Sequence, residues 1–329
     1  MRAWQLQSLA GPAALELVDL PEPAPRSGSV LIDVRTAGVS FADVLVSRGE
    51  YQIRPEPPFV PCTDVAGVVR SAPEGSAFAP GQRVGALVPL GGCAQVALAP
   101  EQAVFPIADG VSDAAAVAIT ANYQTAYLGL HHRGAVTPGE SVLVHGASGG
   151  VGSAAIQVAK ALGATTIAVA RGAHKAAQAR DAGADQVLDA DEDWVAGVRD
   201  ITAGGADVVF DTVGGERFDR SLRCMAREGR LLVVGFTSGT IPQLSVNQVL
   251  LKDIAVIGVN IVLASDQFRQ GAWSTLMTWA QERRIEPLIG ATYPFENAPQ
   301  AFEDIAARRA IGKLVIDVQP PDPCASSRP

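Results

Sequence analysis

Ser141-Val142-Leu143-Val144-His145-Gly146-Ala147-Ser148-Gly149-Gly150-Val151-Gly152 joins a strand pattern to a helix pattern through a glycine-rich turn. Val142, Leu143 and Val144 form a short apolar run of the kind that fills a buried strand, and the turn behind them has almost no side chains. Gly146, Gly149 and Gly152 stand in the pattern G-x-x-G-x-x-G, a relative of the dinucleotide fingerprint. Glycines let a backbone turn sharply and approach a ligand. The first turn of the helix behind them offers free N–H groups and a positive dipole end to phosphate. From Gly150 onward Val151, Ala155, Ile156, Val158, Ala159 and Leu162 share one helical face, and Gly163 supplies the stop. The segment therefore predicts a pyrophosphate cradle made of Gly146, Ser148, Gly149, Gly150, Val151 and Gly152.

Strand and helix patterns keep alternating beyond it, with apolar runs at 166–170, 186–188, 207–211, 230–234 and 254–258. Six strands in such alternation predict an α/β fold with a doubly wound parallel sheet. Before residue 110 the pattern differs: short runs at 29–36, 65–71, 83–88 and 93–98, punctuated by Pro and Gly, predict a partly open β-barrel. An Ala-rich helical stretch at about 114–130 reads as the crossover. A helix bearing Trp273, Leu276, Met277 and Trp279, an amphipathic helix at 301–309 and a strand at 313–318 bring the chain back. The predicted domains are 1–120, 121–260 for the nucleotide fold and 261–318 for the return, with 319–329 a disordered Pro- and Ser-rich tail.

A net charge of -8 argues against nucleic acid or an anionic membrane as the main partner, because both call for a basic face. Cys62, Cys93, Cys224 and Cys324 are scattered without a C-x-x-C pair, which predicts neither a disulfide framework nor a zinc knuckle. A cytoplasmic protein is expected. The first residues lack an apolar signal core, and the greasiest segment, 246–264, is broken by Lys252, Asp253 and Asn260. The apolar edge at 254–261 suits pairing across a two-fold axis, so a homodimer is expected.

In sites that prefer NAD, an acid about 20 residues beyond the glycines closes the second strand and binds the ribose 2′-hydroxyl. Here that strand ends Val169-Ala170-Arg171, followed by Gly172-Ala173-His174-Lys175. Arg171 and Lys175 suit a 2′-phosphate instead, and a lysine at a helix start is better explained by a bound anion than by the dipole it opposes. NADPH is the predicted cofactor. Gly235, Phe236, Val259 and Asn260 stand at the C-terminal ends of the late strands, where open α/β sheets bind ligands.

The blocks at 37–51 and 58–67, Asn122-Tyr123-Gln124-Thr125-Ala126-Tyr127, the glycine loop, Asp211-Thr212-Val213-Gly214-Gly215, Val234-Gly235-Phe236 and Gly312-Lys313-Leu314-Val315 occur in order along nearly the whole chain. Together they resemble the zinc-free quinone oxidoreductases (zeta-crystallin-like) of the medium-chain dehydrogenase/reductase superfamily. The resemblance implies a Rossmann domain inserted into a GroES-like catalytic domain. It also implies that Thr125 lies near the nicotinamide and that Val213 and Lys313 contact the cofactor. Where zinc-dependent relatives carry ligands, this chain has Ser40, Thr63 and about Ala121, and the four-cysteine lobe is missing. Zinc wants thiolate, imidazole or carboxylate, so no metal is expected. The family's usual Asn is replaced by Ser40, and its usual Gly-x-Glu by Cys62-Thr63-Asp64.

Without a Lewis acid, hydride from a nicotinamide needs an acceptor that spreads the incoming charge onto a stabilised oxygen. The expected activity is therefore NADPH-dependent, zinc-independent transfer of hydride to a quinone. The alternatives are reduction of a 2-alkenal, enone or acryloyl-CoA-type double bond, and a structural or regulatory NADPH-binding protein of the kind lens crystallins illustrate. Tyr51, then Ser40, are the candidate hydroxyls that orient the acceptor or donate to it.

Overall fold

The computed structural model describes residues 1–318, so the tail expected at 319–329 lies outside the described residues. The chain forms two compact units: Met1–Thr120 joined by the chain from Ile289 onward, and Ala121–Leu288. In the first, β1 (Arg2–Leu6) and β2 (Leu15–Asp19) pair antiparallel. Then come β3 (Ser29–Val39), β4 (Asp64–Ser71), β5 (Arg83–Leu87), β6 (Val96–Pro100) and β7 (Val104–Pro106). β3 is long and rich in β-branched residues, and it pairs with both β4 and β6. Val30, Ile32, Val65 and Val84 from these strands meet Phe302 and Ile316 from the returning chain in one apolar core.

The predicted crossover helix forms in four pieces. Asp113–Ala118 and Gln124–Tyr127 are α-helical, and Ile119–Tyr123 and Leu128–Arg133 are wider π turns. Ser112 starts the first piece, its hydroxyl accepting from the Ala115 N–H at 3.2 Å.

The second unit holds β8 (Ser141–His145), β9 (Thr165–Ala170), β10 (Gln186–Asp189), β11 (Ala206–Asp211), β12 (Met225–Val233) and β13 (Ala255–Gly258). All pairings are parallel, in the order β10-β9-β8-β11-β12-β13. Val142, Leu143 and Val144 are fully buried, as a strand covered on both faces requires. The order reverses between β8 and β11, and the glycine loop leaves β8 at that switch point.

The chain rejoins the first unit later than the expected boundary at 260/261. Helix Asp266–Gln281 stays with the second unit, which extends to Leu288. The reason lies in hydrogen bonds to the helix Gly150–Ala161: Gln157 Nε2 donates to the Glu286 carbonyl at 2.9 Å and its Oε1 accepts from the Glu286 N–H at 2.8 Å. Arg284 also donates to the Ala161 carbonyl. Only then do β14 (Ile289–Pro294) and β15 (Lys313–Asp317) form, giving the sheet order β14-β15-β3-β4-β5-β7. Pro299 starts the intervening helix, Ala298–Ala306, three residues earlier than the pattern at 301–309 suggests.

Candidate functional site

In the second unit the loop after β8 is shaped by its glycines in two ways. Gly146 has φ +67°, and a Cβ there would collide with the Thr212 hydroxyl, which donates to the His145 carbonyl at 3.0 Å. A Cβ at Gly152 would collide with the Gly146 carbonyl, so loop and helix lie against each other at a distance only glycine allows. Gly149 is different. Its φ is -83°, and an added Cβ would meet nothing nearer than the Gly146 oxygen at 3.4 Å, an ordinary contact. Neither backbone conformation nor internal packing demands glycine at 149, and its missing side chain leaves the helix start open to close approach. The residues present therefore fit a pyrophosphate, and a dinucleotide is the group such a loop holds.

Ser148 is nearly buried in this loop, while Gly150 and Val151 open the helix half-exposed. Val213 and Gly214 donate their N–H groups to Asp211 Oδ1 at 2.8 and 3.0 Å, which fixes the turn after β11. The segment after β12 continues alongside it, with Thr237 N–H bonded to the Thr212 carbonyl and Ser238 N–H to that of Val213. Gly235 and Phe236 are half-exposed there, and Gly214 leaves room for the Phe236 ring. Val259 is buried, whereas Asn260 is exposed and its Oδ1 accepts from the Val262 N–H. Thr125 gives its hydroxyl proton to the Ala121 carbonyl at 2.7 Å, a bond internal to its helix.

Arg171 caps the helix Gly172–Asp181, and its Nε donates to Asp191 Oδ1 at 2.9 Å on an exposed surface. The acid missing from the end of β9 thus arrives from beyond β10, which sequence spacing does not indicate. Sequence reasoning also misses a second cation. Arg217 is half-buried after β11, and its guanidinium is pushed below its ordinary pKa by burial and then by the charge of Arg171, with Asp211 and Asp191 opposing. A basic residue three positions beyond a Gly at the end of a fourth strand is the available signal.

The first unit gathers a different kind of site. Ser40 follows β3 and precedes the helix Phe41–Ser47, giving both its N–H (2.8 Å) and its hydroxyl (2.6 Å) to Asp43 Oδ2. Asp43 Oδ1 accepts from the Cys62 N–H at 3.2 Å. Burial, then the neighbouring Asp64, raises the Asp43 carboxyl to about 6, against the opposing pull of Ser40 and Lys313. Asp64 opens β4 and Lys313 opens β15; both are essentially buried, with Nζ and Oδ2 2.5 Å apart. This contact is a charge pair without good hydrogen-bond angles. A Cβ at Gly38 of β3 would strike both members of the pair, so glycine there makes the space for it. Lys313, expected at the cofactor, has its ammonium engaged by Asp64.

Tyr51 packs half-buried on the first unit's core, and its phenol is raised by burial and then by the Asp43 charge. The structure thus brings Ser40 and Tyr51 together around Asp43. Asp43 does not stand out in the sequence, although Ser-x-x-Asp at 40–43 has capping-box spacing, and Asp64 stands out only within Cys62-Thr63-Asp64, where the family usually has Gly-x-Glu. Among the described residues no group of three or more His, Cys, Asp or Glu side chains is arranged to hold a metal, and no helix is long and apolar enough to cross a membrane.

Two family models match the chain that carries this geometry: "Alcohol dehydrogenase GroES-like domain" over residues 26–145 and "Zinc-binding dehydrogenase" over 150–281. A quinone oxidoreductase of Rattus norvegicus is 33% identical over 323 residues, covering 96% of this chain and 97% of its own. Among solved structures, the quinone oxidoreductase of Thermus thermophilus, determined also with NADPH, is 36% identical with a TM-score of 0.84, covering 96% of this chain and all of that one. That of Escherichia coli in complex with NADPH is 27% identical with a TM-score of 0.90, again covering 96% and 100%.

Proposed function

The chain belongs to the quinone oxidoreductase-like group of the medium-chain dehydrogenase/reductase superfamily, and from that premise we propose that it is an NADPH-dependent, zinc-independent quinone reductase. The observation that carries the reading is Gly149, bare without internal cause, beside Gly146 and Gly152, which are packed against their neighbours. When bound, NADPH supplies hydride to the acceptor. The second unit's part is to hold it, with backbone N–H groups of Gly150 and Val151 toward the pyrophosphate, beside the bare Cα of Gly149, and Arg171 and Lys175 toward the 2′-phosphate. The first unit's part is to orient the acceptor and support its oxygen through the hydroxyls of Tyr51 and Ser40. Zinc independence is supported by Ser40, whose hydroxyl is committed to Asp43, and by Thr63, a poor ligand for zinc.

Acceptor kinetics tests the reading. With NADPH, a benzoquinone or naphthoquinone should turn over faster than a 2-enal or an enoyl thioester; steady turnover of the thioester without quinone activity would refute quinone specificity. Prolonged chelation should leave the rate unchanged, and a loss restored by zinc contradicts the metal-free mechanism. Tight NADPH binding with no turnover of any acceptor favours the structural or regulatory role. We also propose a homodimer, supported by β13, the last strand of its sheet, and by the exposed Val246, Leu250, Leu251, Val262 and Leu263. Light scattering that returns a monomer at micromolar concentration refutes it.

A further inference from the structure

We propose that Ser40 and Asp43 form the proton-delivery pair for the reduced acceptor, with Ser40 as the group that touches its oxygen and Asp43 as the reservoir behind it. The inference rests on the reductase reading above, which leaves the source of the proton unassigned. Ser40 is partly exposed, whereas Asp43 is buried behind it.

Hydrogen count sets the direction of donation. A serine hydroxyl has one hydrogen to give, and at 2.6 Å Ser40 gives it to Asp43 Oδ2. While Asp43 is ionised, Ser40 therefore turns only lone pairs outward and supports no developing oxyanion. Protonation of Asp43 reverses this. Its carboxyl oxygens have three partners: the N–H of Ser40, the N–H of Cys62 and the hydroxyl of Ser40. Two of them are N–H donors with nothing to accept, so a proton on Asp43 has one place to go, the Ser40 oxygen. Ser40's own hydrogen is then free to point at the acceptor.

With a nicotinamide donor bound, the acceptor would receive hydride and its oxygen would carry the charge. The Ser40 O–H bond breaks as the acceptor O–H bond forms, and the Asp43 O–H bond breaks as the Ser40 O–H bond is restored. Asp43 is left as carboxylate and recovers its proton from water. The groups that face Asp43 set how readily it holds that proton: Asp64 from β4 favours it, Lys313 from β15 and the Ser40 bonds oppose it, and Tyr51 and the Cys62 thiol next to Cys93 surround it as neutral groups. Lys313 Nζ lies 2.5 Å from Asp64 Oδ2, so the two opposing influences reach Asp43 from one buried pair.

Two measurements decide the matter. Carboxyl carbon NMR of the ligand-free protein, assigned with Asp43→Asn, should show one aspartate titrating near 6, displaced in Ser40→Ala; a midpoint near 4 overturns the proposal. With saturating NADPH and a benzoquinone, kcat should fall about tenfold per pH unit above the Asp43 midpoint. That slope should vanish in Asp43→Asn and in Ser40→Ala, at lower kcat and similar KM, and Ser40→Thr should restore it. A wild-type slope in both variants overturns the proposal; if Asp43→Asn does not fold, Ser40→Ala alone decides, since it leaves the carboxyl in place. Absence of turnover with every acceptor, despite NADPH binding and a midpoint near 6, instead overturns the reductase reading and the delivery role with it.

Discussion

The two units build their sites from opposite materials. The second offers backbone: a loop in which Gly146 and Gly152 are packed against neighbours and Gly149 is left bare. The first offers charge: Asp43, Asp64 and Lys313 buried close to one another, with Ser40 in front. A backbone site binds through dipoles that folding has already fixed, whereas a buried charge cluster holds only as long as each charge keeps its partner. The two should respond differently to substitution, to pH and to ligand.

The largest effect is expected at the buried pair. Lys313→Met leaves Asp64 alone in the core and should cost about 3–5 kcal/mol by urea unfolding, while Asp64→Leu combined with Lys313→Met should recover most of it. Equal losses in single and double variants would mean that the pair contributes packing rather than charge balance.

The glycine loop comes next. Gly152→Ala forces a methyl onto the Gly146 carbonyl and should cost about 1–3 kcal/mol of stability together with NADPH affinity. Gly149→Ala meets no such contact, so it should leave the Tm unchanged and still weaken NADPH binding by about tenfold in calorimetry. If both variants lose stability and affinity in proportion, Gly149 is structural and the loop loses its ligand.

The pH responses of the units should run in opposite directions. In the second, His145 is buried against Ser221 and Trp194, and burial, then Arg217, lowers its pKa to about 3. The unfolded chain takes up this proton first, so stability is lost as pH falls from about 6.5 toward 3. In the first, Asp43 has a raised pKa and the folded state holds the proton longer, so stability is lost as pH rises from about 4 to 6. His145→Gln should flatten the acid limb of a Tm-against-pH curve and Asp43→Asn the other; unchanged limbs would place the responsible groups elsewhere.

The smallest effect belongs to the two cations at the start of the helix Gly172–Asp181. Arg171→Ala and Lys175→Ala should each raise the NADPH Kd about fivefold to tenfold and leave that of NADH nearly unchanged, because solvent screens the exposed Arg171 and Lys175 is only half-buried. An equal change for both cofactors would remove them from the 2′-phosphate.

Legibility in the sequence follows the same division. β8, the glycine loop and the helix after it are contiguous, so periodicity and glycine spacing along one short stretch are enough to read them. Ser40 and Tyr51 emerge through chemistry and resemblance, yet the groups that act on them do not. Asp43 lies unremarked in the block at 37–51, Asp64 reads as part of a replacement of the family's Gly-x-Glu and Lys313 as a cofactor contact, and nothing in those readings joins one to another. Helix Asp266–Gln281 falls in the wrong unit for a similar reason: what holds that segment is Gln157 bonding to Glu286, 129 residues away.

The doubly wound sheet and the position of its phosphate loop are written in the chain's order of residues, because hydrophobic period and glycine spacing are local properties. That Asp43, Asp64 and Lys313 share one buried site, that Asp191 reaches Arg171, and that Ser40's hydrogen is already spoken for come from folding alone. Those facts depend on strand order and register, which bring residues as far apart as 64 and 313 to within 2.5 Å.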